Sequence, residues 1–247
     1  MNTQYIQTWL ENFERQSMLR RALVVSGNII DLAFTKNGQL QPINQIISDS
    51  LKTKGFQHVV FYSRVGGVSG VTTQQWNDLQ ATGFQSSVFD DADDYDMGGE
   101  EDNSSAQETN SNAGQTELTP KDFFAVAQKV MFESQQRVAF VVDWSNYMFG
   151  QINSLSDAER AWLQQISKSI RDAQVNLSAN EIDKPQSLLV FLCSGLSNLP
   201  PSLYLNNPLF AEINIDLPNI HERERAISAL KMAFQVQEAL LPHSQAM

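Results

Sequence analysis

The chain has 247 residues, of which 42% are hydrophobic and one is a cysteine, and its formal net charge is −11. This length and apolar content suit one large α/β domain, and a single cysteine excludes an internal disulfide framework. No run of about 18 apolar residues occurs, which predicts no membrane span, and no basic cluster indicates nucleic-acid binding. We therefore expect a cytoplasmic protein.

The acidity is confined to one part of the chain. Eleven acidic residues and no Lys or Arg lie between Val65 and Pro120, while the rest has 17 acidic and 17 basic residues. Residues 90–118 are rich in Asp, Glu, Ser and Asn, which predicts an acidic disordered insertion, with a docking arm for a basic partner as the alternative. Its aspartates lack the glycine and the final glutamate of a calcium loop, so no metal site is predicted.

In the first half, apolar spacing predicts a helix, a strand, a helix and a strand in turn. In chain order they cover Ile6–Phe13, Ala22–Ser26, Ile43–Leu51 and Val59–Ser63. We interpret residues 1–54 as an N-terminal helix-strand-helix extension, and residues 85–89 as a weak edge strand.

The second half continues the alternation of helices and strands. A helix begins at Thr119–Pro120, and Ser156 and Glu159 form a capping box for another. Further apolar runs predict three strands and a last helix: Val138–Val142, Leu188–Cys193, Ala211–Ile215 and Ala226–Gln237. Because these strands are continuously apolar, we predict a parallel sheet in a three-layer α/β/α sandwich.

The strand His58–Ser63 precedes a segment that nearly matches a phosphate-binding loop. A P-loop reads G-x-x-x-x-G-K-S/T between a strand and a helix. Gly70 and Thr72 occupy the second Gly and the Ser/Thr positions, but Val65 and Val71 replace the first Gly and the Lys. Since Val cannot neutralise phosphate, the segment is either a packed turn or an anion cradle at a helix N-terminus.

The order of these segments resembles the large domain of AAA+ ATPases, a P-loop NTPase fold, over roughly residues 55–240. Val138–Asp143 resembles the Walker B strand, residues 188–203 resemble the sensor-1 strand and its turn, and residues 207–225 resemble the last strand and the following helix start. The resemblance implies one domain over 1–247 whose second half, 119–240, is AAA+-like. Because the chain ends at Met247, we expect no helical lid domain.

The departures from the AAA+ pattern imply a degenerate, catalytically inactive domain. Trp144 stands where hydrolysing members have a glutamate that orients water. The sensor-1 asparagine would fall near Ser194–Gly195, but the nearest asparagine is Asn198. The turn at residues 206–208 has no arginine finger, and phosphoryl transfer depends on such charges. Gly27–Leu32 resembles a Gly-Asn-x-x-Asp-Leu segment in the inert first domain of some bacterial two-domain AAA+ proteins.

The candidate cofactor-binding residues form a vestigial nucleotide site. They belong to the near P-loop and to the end of the Walker-B-like strand: Gly67, Ser69, Gly70, Thr72, Thr73 and Asp143. For Asp143 the alternative is a cap on the next turn. No catalytic residue is predicted, the three histidines lack metal-ligand spacing, and no cofactor is expected, with Mg-ATP as the alternative.

Three functions are compatible with these patterns. The first is a non-catalytic AAA+-like scaffold or docking module, acting with or fused to a catalytic AAA+ ATPase in a remodelling or assembly machine, with or without homo-oligomerisation. The second is a nucleotide-binding P-loop NTPase with an unorthodox site. The third is an unrelated α/β interaction module. Strand order discriminates, because AAA+ domains place the P-loop strand between the last strand and the sensor-1 strand.

Overall fold

Helices and strands alternate along the chain, as the apolar pattern predicts. The computed structural model describes residues 7–81, 118–133, 136–173, 175–176, 184–185 and 187–234. The predicted edge strand 85–89, residues 90–117 of the predicted insertion and the end of the last helix lie outside the described residues.

Seven α-helices are present in the described part of the chain. They are α1 (Thr8–Ser17), α2 (Ile43–Thr53), α3 (Thr73–Ala81), α4 (Pro120–Glu133), α5 (Asp157–Asp172), α6 (Pro201–Tyr204) and α7 (Ile220–Phe234). The predicted capping box at the start of α5 is confirmed: the Ser156 hydroxyl accepts from the Glu159 amide, and the Glu159 carboxylate accepts from the Ser156 amide.

Ten β-strands accompany these helices in the described ranges. They are β1 (Ala22–Gly27), β2 (Leu32–Phe34), β3 (Leu40–Pro42), β4 (His58–Ser63), β5 (Gly67–Ser69), β6 (Val138–Val142), β7 (Val175–Asn176), β8 (Lys184–Pro185), β9 (Leu188–Cys193) and β10 (Phe210–Ile215). Six of them form one sheet in the order β10-β1-β9-β6-β4-β5, in which only β5 runs antiparallel to its neighbour. The two antiparallel pairs β2-β3 and β7-β8 stand apart from it.

Two hydrophobic cores lie on opposite faces of the sheet. On one face Val24, Phe140 and Phe191 pack with α3, α4 and α5, and on the other face Val25 and Val141 pack with α1 and α2. Each central strand is therefore buried on both sides, which explains why its sequence is a continuous apolar run. The predicted fold class, an α/β sandwich with a mostly parallel sheet, is confirmed.

The sheet corrects one part of the sequence interpretation. β1 lies between β10, the last strand, and β9, the sensor-1-like strand, with Val24 opposite both Glu212 and Phe191. The segment predicted as an N-terminal extension therefore supplies a central strand, whereas β4, expected in that place, lies between β6 and β5. The local pattern marks both segments as buried strands, but the choice of neighbours depends on contacts that are remote in sequence.

Candidate functional site

The carboxyl ends of the five parallel strands meet at one edge of the sheet, the edge where open α/β folds bind ligands. Two surfaces lie along it. We call the carboxyl ends of β1 and β10 the cleft end, and the carboxyl ends of β4 and β6 the aromatic end.

The near P-loop forms a tight hairpin, since β5 pairs antiparallel with β4. Gly67 and Gly70 both have positive φ, at 63° and 84°. A Cβ on Gly70 would lie 2.5 Å from the carbonyl oxygen of Val59, so the hairpin itself requires this glycine. The glycines that resemble a phosphate loop are explained by strand pairing.

The residues after the hairpin cap a helix. The Thr72 hydroxyl accepts from the Gln75 amide (3.2 Å), and the Thr72 amide donates to the Gln75 side chain (2.8 Å), which is a capping box for α3. Thr73 is the first residue of that helix. This geometry agrees with the packed-turn interpretation.

The predicted nucleotide site is brought together only in part, because Gly67 pairs with Ser63 at the carboxyl end of β4, whereas Gly70 lies toward its amino end. Gly70 lies beside Val59, near the amino end of β4, whereas the Asp143 amide donates to the Tyr62 carbonyl near the carboxyl end. Ser69 pairs with Phe61, between these two points. Nucleotide binding by either part stays a prediction.

Asp143 caps the turn that follows β6. Its carboxylate accepts from the Trp144 amide (2.9 Å), which matches the capping alternative. Burial raises the pKa of this carboxyl above its ordinary value, and the Trp144 amide offsets part of that increase. Trp144 itself adopts a left-handed backbone conformation (φ 53°, ψ 42°), which is uncommon for a large side chain.

The aromatic end is an exposed cluster built on that turn. Trp144 is 42% exposed and Tyr147 is 66% exposed, and their ring centroids are 6.1 Å apart. Arg64 donates to the Tyr147 carbonyl (3.2 Å), which places the β4–β5 turn, with Val65 94% exposed, beside the two rings. The buried Ser145 hydroxyl donates to the Leu192 carbonyl (2.7 Å) and fixes the turn to β9.

An asparagine that the sequence did not single out contacts the sensor-1-like segment. Asn146, after β6, accepts from the Ser194 amide (3.1 Å), and Asn198 donates to the Ser194 hydroxyl (3.3 Å). Nearby Cys193 is buried, and this burial raises the pKa of its thiol to about 11, so the thiol stays protonated at neutral pH. A buried, protonated thiol is typical of a structural cysteine and not of a reactive one.

The cleft end depends on Gly27. Its φ is 99°, and a Cβ there would lie 2.4 Å from the Ile215 carbonyl oxygen, so only glycine lets β1 and β10 end this close together. The Asn28 amide then donates to that carbonyl (2.9 Å), and the Asn28 side chain donates to Asp31 (2.8 Å). The sequence signal for this turn was the Gly-Asn-x-x-Asp-Leu segment.

A cleft of about 790 Å³ opens above this turn, between α1, β2 and the start of α7. The side chain of Gln7 donates to Glu222 (3.1 Å), which joins the start of α1 to α7. The Arg225 guanidinium lies 4.4 Å from the centre of the Phe34 ring, which joins α7 to β2. The walls of the cleft therefore hold one another in place.

One family model matches residues 4–216, from before α1 to the end of β10, and its description is "AAA+ chaperone, N-terminal Rossmann-like domain". The chain belongs to this family. As an AAA+ chaperone N-terminal domain it is AAA+-like, as the sequence predicts, and the third hypothesis, an unrelated α/β module, is wrong. The match also includes residues 4–54, which agrees with the central position of β1.

Other comparisons with this AAA+ chaperone N-terminal domain are less informative. A search of curated proteins found no significant match. One chain of a solved structure, the E. coli MS115-1 HORMA:CdnC:Trip13 complex, is similar at 10% identity and a TM-score of 0.45. The similarity covers 89% of this domain but 56% of that chain, so this domain spans little more than half of it.

Two further findings apply to the described residues of the domain. No helix there combines the length and the apolarity needed to cross a membrane. No group of three or more His, Cys, Asp and Glu side chains there is arranged to hold a metal ion.

Proposed function

We propose that this AAA+ chaperone N-terminal domain is a non-catalytic scaffold and docking module that acts with, or is fused to, a catalytic AAA+ ATPase. The observation that carries the proposal is the position, exposure and backbone conformation of Trp144. It follows the Walker-B-like Asp143, it is exposed, and its backbone is left-handed.

Trp144 stands where hydrolysing members have a catalytic glutamate, and its side chain is suited to contacting another protein instead. An indole cannot accept a proton from an attacking water, so the position after Asp143 lacks the general base that hydrolysis needs. A strained backbone conformation costs about 1–3 kcal/mol and is retained where function requires it. Trp, Tyr and Arg are the residues most enriched at binding hot spots, and Trp144, Tyr147 and Arg64 form one cluster here.

The loop after the central strand also supports a non-catalytic role. β1 occupies the place that the AAA+ pattern gives to the P-loop strand, and residues 28–42 connect it to α2 through the β2-β3 hairpin. The one basic residue in this connection, Lys36, pairs with Glu14 at 2.5 Å. The neighbouring Asp31 adds negative charge, which opposes the binding of a triphosphate.

The first experiment measures catalysis and nucleotide binding by the purified chain. We expect ATP hydrolysis at the background rate and no thermal shift with millimolar Mg-ATP. Hydrolysis at a rate typical of AAA+ proteins, lost in Asp143→Ala, would overturn the non-catalytic part of the proposal. A clear thermal shift without hydrolysis would instead support the second hypothesis.

The second experiment tests docking. A photo-crosslinking amino acid is introduced at Tyr147 and, as the matched control, at Leu19, an exposed apolar residue that precedes the amino end of β1. In the source organism we expect Tyr147 alone to crosslink to a protein that contains an intact G-x-x-x-x-G-K-S/T motif. Equal crosslinking from both positions, or none from Tyr147, contradicts docking through the aromatic end.

A further inference from the structure

We propose that the cleft between α1, β2 and α7 binds a segment of a partner protein in which lysine or arginine lies next to large apolar side chains. This proposal rests on the proposed docking function in one respect, namely that the ligand is part of a protein. It concerns the cleft end and does not depend on Trp144.

The charges of the cleft select a cationic ligand. Its lining includes three carboxylates, Glu11, Asp216 and Glu222, against one guanidinium, Arg15. Arg15 donates to Asn12, and none of the salt bridges within the described residues involves the three carboxylates. A cation that enters a cleft with an excess of one charge sign gains more than it would at the open surface.

The hydrogen bonds to these carboxylates come from neutral groups. Asp216 accepts from the Asn214 amide group, and Glu222 accepts from Gln7 and from the Asn219 backbone. Neutral donors fix the position of a carboxylate without cancelling its charge. The charges of Asp216 and Glu222 are therefore held in place for a ligand, and little ordering cost remains for these two side chains on binding.

Apolar side chains line the mouth of the same cleft. Leu32 and Leu217 belong to the lining, and Leu217 is 78% exposed. Ile30, between β1 and β2, and Ile220, the first residue of α7, are also exposed, at 65% and 59%. Exposed apolar residues grouped around a polar cleft are typical of a binding surface, and they suit the apolar neighbours of a basic side chain.

The same charges argue against a phosphate ligand. A nucleotide would place several negative charges beside three carboxylates, where like charges repel. The cleft lies where the central strand ends, so a nucleotide is the competing occupant that the experiment must exclude.

The experiment measures binding of a fluorescein-labelled heptapeptide of alternating leucine and lysine to the full chain by fluorescence anisotropy. A peptide with glutamate in place of lysine is the control ligand. The test variant is Glu11→Gln/Asp216→Asn/Glu222→Gln, in which Gln at position 222 can still complete the capping box of α7. The control variant, Asp49→Asn/Asp78→Asn/Asp157→Asn, removes the same charge from exposed positions outside the cleft.

We expect the lysine peptide to bind, the glutamate peptide not to bind, and the test variant to lose at least about tenfold in affinity, or about 1.4 kcal/mol. The control variant should stay within about twofold, since general attraction to an acidic protein falls equally in both variants. Equal losses in both variants, or no binding of the lysine peptide, would overturn the proposal. So would Mg-ATP that competes with the peptide for the cleft.

The same assay on Trp144→Ala separates this inference from the proposed function. Unchanged peptide affinity in that variant, with loss of the crosslink at the aromatic end, supports two separate docking sites. A loss of peptide affinity in Trp144→Ala that equals the loss in the cleft variant contradicts a site at the cleft end.

Discussion

The two ends of the carboxyl edge are built from the same sheet and present opposite chemistry. The cleft end is concave, carries three carboxylates and is closed by contacts between α1, β2 and α7. At the aromatic end, Trp144 and Tyr147 are exposed on a turn that the buried Ser145 fixes to β9. The parallel sheet dictates where the strands end, but the residues that follow each strand decide what the edge can bind.

The largest expected effect is a loss of stability from a substitution at the cleft end. Gly27→Ala places a Cβ 2.4 Å from the Ile215 carbonyl at a φ of 99°, and we expect it to lower the free energy of unfolding by about 3 kcal/mol. Gly67→Ala is the matched control, because nothing lies within 4 Å of its Cβ position, so only the strain of a positive φ, about 1 kcal/mol, applies. Urea unfolding measures both, and equal losses would contradict the requirement for glycine at the cleft end.

The next largest effect is a loss of stability from a substitution at the aromatic end. Ser145→Ala leaves the buried Leu192 carbonyl without its hydroxyl donor, at an expected cost of about 1–3 kcal/mol. Ser228→Ala removes a hydroxyl that donates to the Glu224 backbone carbonyl on an exposed face of α7. It should change stability by less than about 0.5 kcal/mol. Thermal unfolding compares the two, and a similar small effect in both would show that Ser145 does not fix the turn.

A smaller effect tests the two ion pairs that Glu14 of α1 makes. Burial raises the pKa of Glu14, but the hydrogen bonds and charges of Lys36 and Lys54 lower it by more, so the pKa lies below its ordinary value. The stabilisation is thus present above the ordinary pKa and is lost as the pH falls through the lowered one. Glu14→Gln should cost about 1 kcal/mol at neutral pH and progressively less in acid. A deficit that is constant with pH would contradict this.

The smallest expected effect is a gain in stability rather than a loss, and it occurs at the aromatic end. Burial raises the pKa of Asp143, so its ionised form is less favourable in the folded chain than in the unfolded one. Asp143→Asn keeps an oxygen acceptor for the Trp144 amide and removes the charge. We expect a small gain in stability at neutral pH that disappears as the pH falls through the raised pKa, measured by urea unfolding at several pH values. A loss at neutral pH would contradict this.

The elements of the fold could be predicted from the sequence because their signals are local. Continuous apolar runs marked four of the five parallel strands, the alternating segment Ala211–Ile215 marked β10, and Ser156 with Glu159 marked the start of α5. The β2-β3 hairpin was missed because Leu32–Pro42 contains short apolar stretches without clear alternation. The central place of β1 was missed because its partners, near residues 190 and 212, are distant in the chain.

The candidate site was less accessible than the fold. The near P-loop was a misleading signal because hairpins and phosphate loops both need glycine at positive φ, and Gly67 and Gly70 serve the hairpin. Trp144 was noticed as a departure from a catalytic pattern, but its exposure and left-handed backbone are properties of the fold. The cleft joins residues from α1, β2, β10 and α7, which no local pattern can connect.

The central position of β1 also affects how the chain folds during synthesis. β1 is an early apolar strand, and its two neighbours begin to pair at residues 189 and 210. At about 5–20 residues per second, a ribosome needs roughly 10–40 s to reach them. During that interval both edges of Ala22–Gly27 lack their strand partners, which is a known route to aggregation. A nascent chain of this topology therefore stays at risk of aggregation until β9 and β10 have been synthesised.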